Sequence, residues 1–265
     1  MTGPLDLNAF APISLEELTA RAALQTRVDR KYVVPVGELP GILSHLGAET
    51  RVLELGGVRA FRYESVYFDT PELTSYRMAA HARRRRFKLR TRAYVDSATA
   101  YLEVKTRGAR SATVKERLEY DFDERSVLND DGLLYAHDTL DGAGFDVRPE
   151  RLRRTVVTRY RRATLFVPGD GRDAHPESRA TVDTQLAWEL DPAVTGRGRR
   201  VETPGIAIVE TKSGSRPSGV DRVLWAHGHR PSAISKYGTG LAALAPALPA
   251  NKWSRVLRRH FTSAA

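Results

Sequence analysis

Apolar and polar residues alternate with a period of two over long stretches of this chain. From Tyr101 to Arg107, Tyr101, Glu103, Lys105 and Arg107 fall on one side of an extended backbone, and Leu102, Val104 and Thr106 on the other. The same period predicts strands at Thr26 to Pro35, Thr50 to Leu55, Val58 to Asp69, Arg83 to Arg92, Ala100 to Arg107, Ala112 to Phe122, Thr155 to Val167, Arg179 to Leu190 and Gly205 to Lys212. Gly56-Gly57 marks a hairpin between the second and third of these. Helices are expected after the Ser14 cap to about Leu24, over Val36 to Leu46 with Pro40 in the first turn, and from the Thr70-Pro71 start to Ala82. Further helices are expected at Glu124 to Tyr135, Ser218 to His227, Ser235 to Leu244 and Asn251 to Phe261. Asp138 to Pro149, Pro168 to Ser178 and Asp191 to Pro204 read as connections.

Consecutive strands without a βαβ rhythm place the chain in the α+β class. Three parts are expected: an N-terminal segment with a short helix (1–25), a main domain (26–245) and a basic tail helix (246–265).

Charge changes this picture. The 265 residues carry 42 Lys and Arg against 32 Asp and Glu, a formal charge of +10, which favours anionic partners. The strands concentrate it on single faces. In Arg83 to Arg92, Arg84, Arg86, Lys88, Arg90 and Arg92 share one face, while Arg83 and Arg85 join Phe87, Leu89 and Thr91 on the other. Elsewhere Lys115, Arg117, Glu119 and Asp121 share a face, as do Arg27, Asp29 and Lys31; Tyr160, Arg162 and Thr164; Arg179, Thr181 and Asp183; and Ile208, Glu210 and Lys212. Strand by strand, such alternation is what the solvated outer faces of a sandwich show. Jointly, a closed antiparallel barrel of about eight strands with a polar lumen and helices at its ends and flanks satisfies every strand at once, and its bore suits one narrow polyanion such as a chain of phosphates. The acids on these faces would pair with the cations or hold Mg²⁺ or Mn²⁺.

Cysteine is absent, which excludes disulfides, thiolate metal sites and a cysteine nucleophile. No glycine-rich phosphate loop and no Ser/His/Asp arrangement is present. The N-terminus lacks the features of a signal peptide and no apolar run is long enough to span a bilayer, so a soluble cytoplasmic protein is expected, with peripheral membrane association left open for the basic tail. Asp69 is expected to shape a turn and Ser235 to cap a helix.

Nine short motifs then occur in one order: Asp29 to Tyr32, Ser65 to Thr70, Lys88 to Arg92, Glu103 to Lys105, Lys115 to Arg117, Tyr160 to Arg162, Arg179 to Asp183, Val209 to Lys212 and Ser235 to Tyr237. Together they resemble the VTC domain, the polyphosphate polymerase domain of the triphosphate tunnel metalloenzyme (CYTH) superfamily. The resemblance implies a tunnel that binds ATP and polyphosphate, transfers the γ-phosphate to the chain end with Mn²⁺ or Mg²⁺, and takes no nucleic acid. It assigns catalytic phosphate contacts to Lys31, Arg90, Arg92, Lys105, Arg162 and Lys212. Further phosphate or nucleotide contacts fall to Lys88, Lys115, Arg117, Arg179, Lys236 and Tyr67, with Glu210 and Glu103 as metal ligands. One departure stands out: the hydrolase and cyclase branches carry Glu-x-Glu-x-Lys, whereas Arg27 to Lys31 keeps the Lys without the first acid. That disfavours a two-metal triphosphatase. A triphosphatase and a non-catalytic polyphosphate-binding module remain the alternatives.

Overall fold

Eleven strands and eight α-helices make up the described part of the chain, which in this computed structural model comprises residues 5–21, 28–108, 113–169 and 177–261. In order they are β1 (Ala11–Ile13), α1 (Leu15–Arg21), β2 (Val28–Pro35), α2 (Leu39–Ser44), β3 (Arg51–Leu53), β4 (Phe61–Asp69), α3 (Thr74–Ala80), β5 (Arg86–Tyr94), β6 (Thr99–Arg107) and β7 (Thr113–Tyr120). The chain continues through α4 (Asp130–Gly142), β8 (Arg153–Val167), β9 (Ser178–Leu190), α5 (Pro192–Thr195), β10 (Arg199–Thr203), β11 (Ile206–Ser213), α6 (Gly219–Ala226), α7 (Lys236–Leu244) and α8 (Ser254–His260). Arg27, Ala112, the end of the first expected helix at Leu24 and most of the Pro168 to Ser178 connection lie outside the described residues.

Hydrogen-bonded neighbours follow the order β2-β11-β9-β8-β4-β5-β6-β7, with β1 on β3, β3 also on β8, and β10 on β9. The path is open, so the expected closed barrel of about eight strands is replaced by an unclosed sheet of eleven. Alternation fixes which face a residue occupies and carries no information on closure, because an open sheet and a barrel share the same period. The added strands escaped notice for a different reason. β1 has three residues, too few to show a period, and β10 lies in what reads as a polar loop.

The chain forms two compact units, each with its own core, and β8 and β9 run through both. The first unit comprises residues 1–61, 160–186 and 203–234. Here Tyr32 and Val34 of β2, Ala207 and Val209 of β11, and Ala180 and Val182 of β9 pack against Leu39, Ile42 and Leu43 of α2 and Val220 and Leu224 of α6. Ser218 caps α6 in a reciprocal box with Asp221. The buried Asp221 carboxylate also accepts from Tyr32 and Thr211.

The second unit comprises residues 62–159, 187–202 and 235–265. Val66 and Phe68 of β4, Phe87 and Leu89 of β5, and Leu102 and Val104 of β6 pack on Ala136 and Leu140 of α4 and on Phe145. In both units the apolar face of the sheet is the one covered by helices. The charged residues therefore occupy the other face.

Helix starts moved where side chains dictated. The third helix begins at Thr74, four residues beyond its expected cap, because Leu73 takes a left-handed conformation (φ 57°). The helix expected at Glu124 to Tyr135 forms at Asp130 to Gly142 instead, capped by Asn129, whose side chain accepts from the Gly132 amide at 2.9 Å.

Candidate functional site

Four cations of β5 point to one face: Arg86, Lys88, Arg90 and Arg92. Arg84 precedes the strand, so the stripe is shorter than the sequence implied and spans about 20 Å. Register places partners beside them. Lys88 lies opposite Lys105 of β6, which lies opposite Lys115 of β7. This row sets three like charges side by side across three adjacent strands, and Glu103 ion-pairs its Lys115 end.

The next row reads Tyr67, Arg90, Glu103, Arg117. Glu103 is nearly fully buried and acts as a hub. Arg90 Nε and Nη2 donate to its Oε2 at 2.9 and 2.7 Å, Lys115 Nζ lies 2.5 Å from Oε1, and Arg92 Nε is 3.7 Å from Oε2. Burial acts to raise the carboxyl pKa, but Arg90 and Lys115 outweigh it and hold it below the ordinary carboxylate range. Tyr67 is buried beneath this row. Its hydroxyl accepts from Arg90 Nη1 at 3.2 Å, its ring lies under both Lys88 and Arg90, and it stacks on Tyr237 with centroids 4.9 Å apart. Arg117 covers the Tyr101 ring at 4.8 Å. Lys88 donates to Ser235 Oγ at 3.2 Å, and the same hydroxyl accepts from the Gly238 amide at the start of α7, where Lys236 is the first residue. Thus Lys88, Arg90, Arg92, Lys105, Lys115, Arg117 and Tyr67 share one face of this unit, with Lys236 linked to it through Ser235.

The remaining candidates belong to the first unit. Lys31 lies opposite Glu210, and Lys212 opposite both Asp29 and Arg179. Glu210 Oε1 is 3.4 Å from Lys31 Nζ and 3.6 Å from Lys212 Nζ. Arg162 grips the buried Asp183 with two bonds of 2.6 and 2.8 Å. Burial, reinforced by Arg179 and Arg162 and opposed by Glu210 and Asp29, pushes the Lys212 ammonium down to about 8. A lysine so placed changes charge close to neutral pH. Lys31, Lys212, Arg162, Arg179 and Glu210 therefore share the second charged face.

The two acids proposed for a metal differ. Glu103 has both oxygens engaged by cations and is poorly suited to one. The ion pairs of Glu210 with Lys31 and Lys212 are longer, and one carboxylate is what Mg²⁺ needs when substrate phosphates complete its shell. Among the described residues no group of three or more His, Asp or Glu forms a protein-only metal cage.

Asp69 is structural, as its turn sequence suggested. Its carboxylate accepts from the amides of Thr70, Ser75 and Tyr76 and from the Tyr237 hydroxyl at 2.6 Å. Burial nevertheless keeps its pKa raised. Arg85 lies off the charged face, donating to the carbonyls of Ala143 and Gly144 and lying over Phe145. Sequence reasoning placed Asp183 on a charged face without giving it a role. Its alternation with Thr181 was visible, but its pairing with Arg162 depends on the alignment of β8 and β9.

The family model for the VTC domain matches residues 26–245, most of the chain. The chain belongs to the VTC-domain family. Among solved structures this VTC domain is similar to a candidate adenylate cyclase from Bacillus halodurans, at 13% identity over 79% of this chain and 94% of that one, TM-score 0.47. It is also similar to the candidate adenylyl cyclase HpAC1 from Hippeastrum, described with a dominant triphosphatase activity, at 13% identity over 86% of this chain and 100% of that one, TM-score 0.47. Likenesses this remote say nothing of chemistry. No curated protein matches. No helix among the described residues of the VTC domain is long and apolar enough to cross a membrane.

Proposed function

We propose that this VTC domain is an ATP-dependent polyphosphate polymerase, moving the γ-phosphate of ATP onto a polyphosphate chain. The observation that carries the reading is the row Lys88, Lys105, Lys115 beside the row Arg90, Glu103, Arg117. A repeating polyanion supplies negative charge at every phosphate and matches these rows of cations along the strands. Phosphoryl transfer asks mainly for positioning and charge neutralisation, which arginines and lysines fixed on strands provide. In this reading Lys31, Arg90, Arg92, Lys105, Arg162 and Lys212 contact the reacting phosphates. Lys88, Lys115, Arg117, Arg179 and Lys236 hold the rest of the polyanion, and Tyr67 supports Lys88 and Arg90 from below. Glu210 would hold Mn²⁺ or Mg²⁺, which would neutralise charge on the phosphate oxygens.

Incubating the purified protein with γ-labelled ATP and Mn²⁺ tests the proposal. Label in a long polymer supports it. Free labelled phosphate alone makes the protein a triphosphatase, and ATP bound but unchanged makes it a binding module. Where polymer forms, Glu210→Ala is expected to abolish its synthesis with the fold retained, because the proposed metal ligand is lost and no core residue is. Undiminished synthesis overturns the metal assignment.

A further inference from the structure

Two cations that the proposed function leaves unassigned, Arg86 and Arg107, lie together at one end of the charged face of β5 and β6. Arg86 and Arg107 are directly opposite each other in the register, one step beyond Lys88 and Lys105. Neither has a carboxylate within ion-pair distance among the described residues. Among the described residues Arg107 Nε is buried and meets no hydrogen-bond acceptor. Arg86 donates through Nη1 only to the Arg83 carbonyl at 2.7 Å.

The C-terminal segment brings a third cation to the same place. Trp253 is buried, 5.5 Å from the Tyr76 ring and tight against Gly238, where a Cβ would come within 2.2 Å of the indole. The Pro249 carbonyl accepts from Tyr76 at 2.9 Å. These contacts fix the short turn Asn251–Trp253 and with it Lys252, whose Nζ sits 5.2 Å from the centre of the Trp253 ring. Burial, together with the charges of Arg86 and Arg107, pushes the Lys252 ammonium below its ordinary range. Burial and Arg107 do the same to Arg86. Well-packed anchoring thus holds Lys252 within electrostatic reach of the paired Arg86 and Arg107, with no carboxylate at ion-pair distance from the three among the described residues.

We infer that Arg86, Arg107 and Lys252 form an anion subsite that takes a phosphate of a polyphosphate chain extending past the Lys88 row. The assignment rests on the polyphosphate reading above. It also gives the C-terminal segment a role in binding in addition to packing.

The test uses tripolyphosphate and long-chain polyphosphate as probes on the full chain, with Lys252→Ala and Arg107→Gln compared with wild type across a salt series. A three-phosphate ligand can be held by the Lys88 and Arg90 rows alone, whereas a long chain reaches further. Each variant is expected to weaken long-chain binding about three- to tenfold, to lower the salt slope of its affinity by about one, and to leave tripolyphosphate binding unchanged. Because each substitution removes an uncompensated cation, the thermal midpoint is expected to hold or rise, which loss of a structural contact would not produce. Long-chain affinity left unchanged in both variants overturns the subsite while sparing the functional reading. Wild type that binds neither probe overturns both. Vesicles with acidic headgroups that bind wild type and lose the variants, with polyphosphate binding intact, would make the cluster a membrane contact and overturn the assignment.

Discussion

Glu103 neutralises three cations at once, so a single substitution there tests how the charged face is held together. Glu103→Gln leaves Arg90, Arg92 and Lys115 facing one another and is expected to reduce unfolding free energy by about 3 kcal/mol. Tripolyphosphate should restore much of the loss, and denaturant melts with and without it check both parts. The carboxyl is held below its ordinary pKa, so its contribution is fully present above the unfolded value of about 4.3 and disappears as pH falls through the lower folded value. Lys212 gives a dependence of the same sign in a higher window, because its pKa too is lowered on folding. Its folded form releases the proton near 8 and its unfolded form near 10.5, so the unfolded state binds more protons between those values and stability rises with pH across that window. Over the same window anion affinity at this face should fall as the ammonium is lost. Lys212→Met is expected to abolish both changes, as read from pH-dependent melts and tripolyphosphate titrations. These two residues were legible to different degrees: alternation placed both on charged faces, but it could not say that Glu103 is saturated by its neighbours or that Lys212 is buried. Those facts depend on which strands become neighbours.

At the scale of elements, the strands declared themselves because buried Phe87, Leu89, Leu102 and Val104 alternate with charged residues that cannot be buried uncompensated. Helix ends were less legible. Leu73 takes its left-handed conformation within a turn organised by Asp69, and no local motif announces that. The helix α7 is held by close approach as well as by capping. A Cβ on Gly240 would lie 2.1 Å from the Trp188 ring, which is itself buried and donates to the Lys236 carbonyl at 2.8 Å. Gly240→Ala should therefore displace the indole and cost about 1 to 3 kcal/mol, measurable by chemical denaturation. At Asp69, asparagine would turn an amide donor toward either the Tyr76 amide and Tyr237 hydroxyl or the Thr70 and Ser75 amides. Asp69→Asn is expected to cost about 3 kcal/mol by the same measurement, with tripolyphosphate affinity falling only as far as Tyr237 and the Tyr67 stacked on it are displaced.

For the whole molecule, a formal charge of +10 gathered on strand faces makes folding sensitive to the anions present. Tripolyphosphate at a hundredfold excess over its dissociation constant should stabilise the protein by about 2.7 kcal/mol, a rise in thermal midpoint of about 5 to 10 °C, while chloride at equal ionic strength does far less. Equal effects of the two salts would reduce the faces to ordinary solvated surface. The division into two cores also sets an order of events during synthesis. The core containing β5 and β6 is drawn from Val66 to Val157, one continuous stretch, whereas the core against α2 and α6 joins Leu7 to Leu224 and waits for β11 and α6. Closing the shorter loops comes first, so amides of β5 and β6 should gain exchange protection before those of β2 and β11 as the chain leaves the ribosome or refolds from denaturant. The face bearing the lysine row would then be the first to form, and until β2 pairs with β11 the nascent chain would carry the proposed polyanion contacts of that face without Lys31 and Glu210 beside each other.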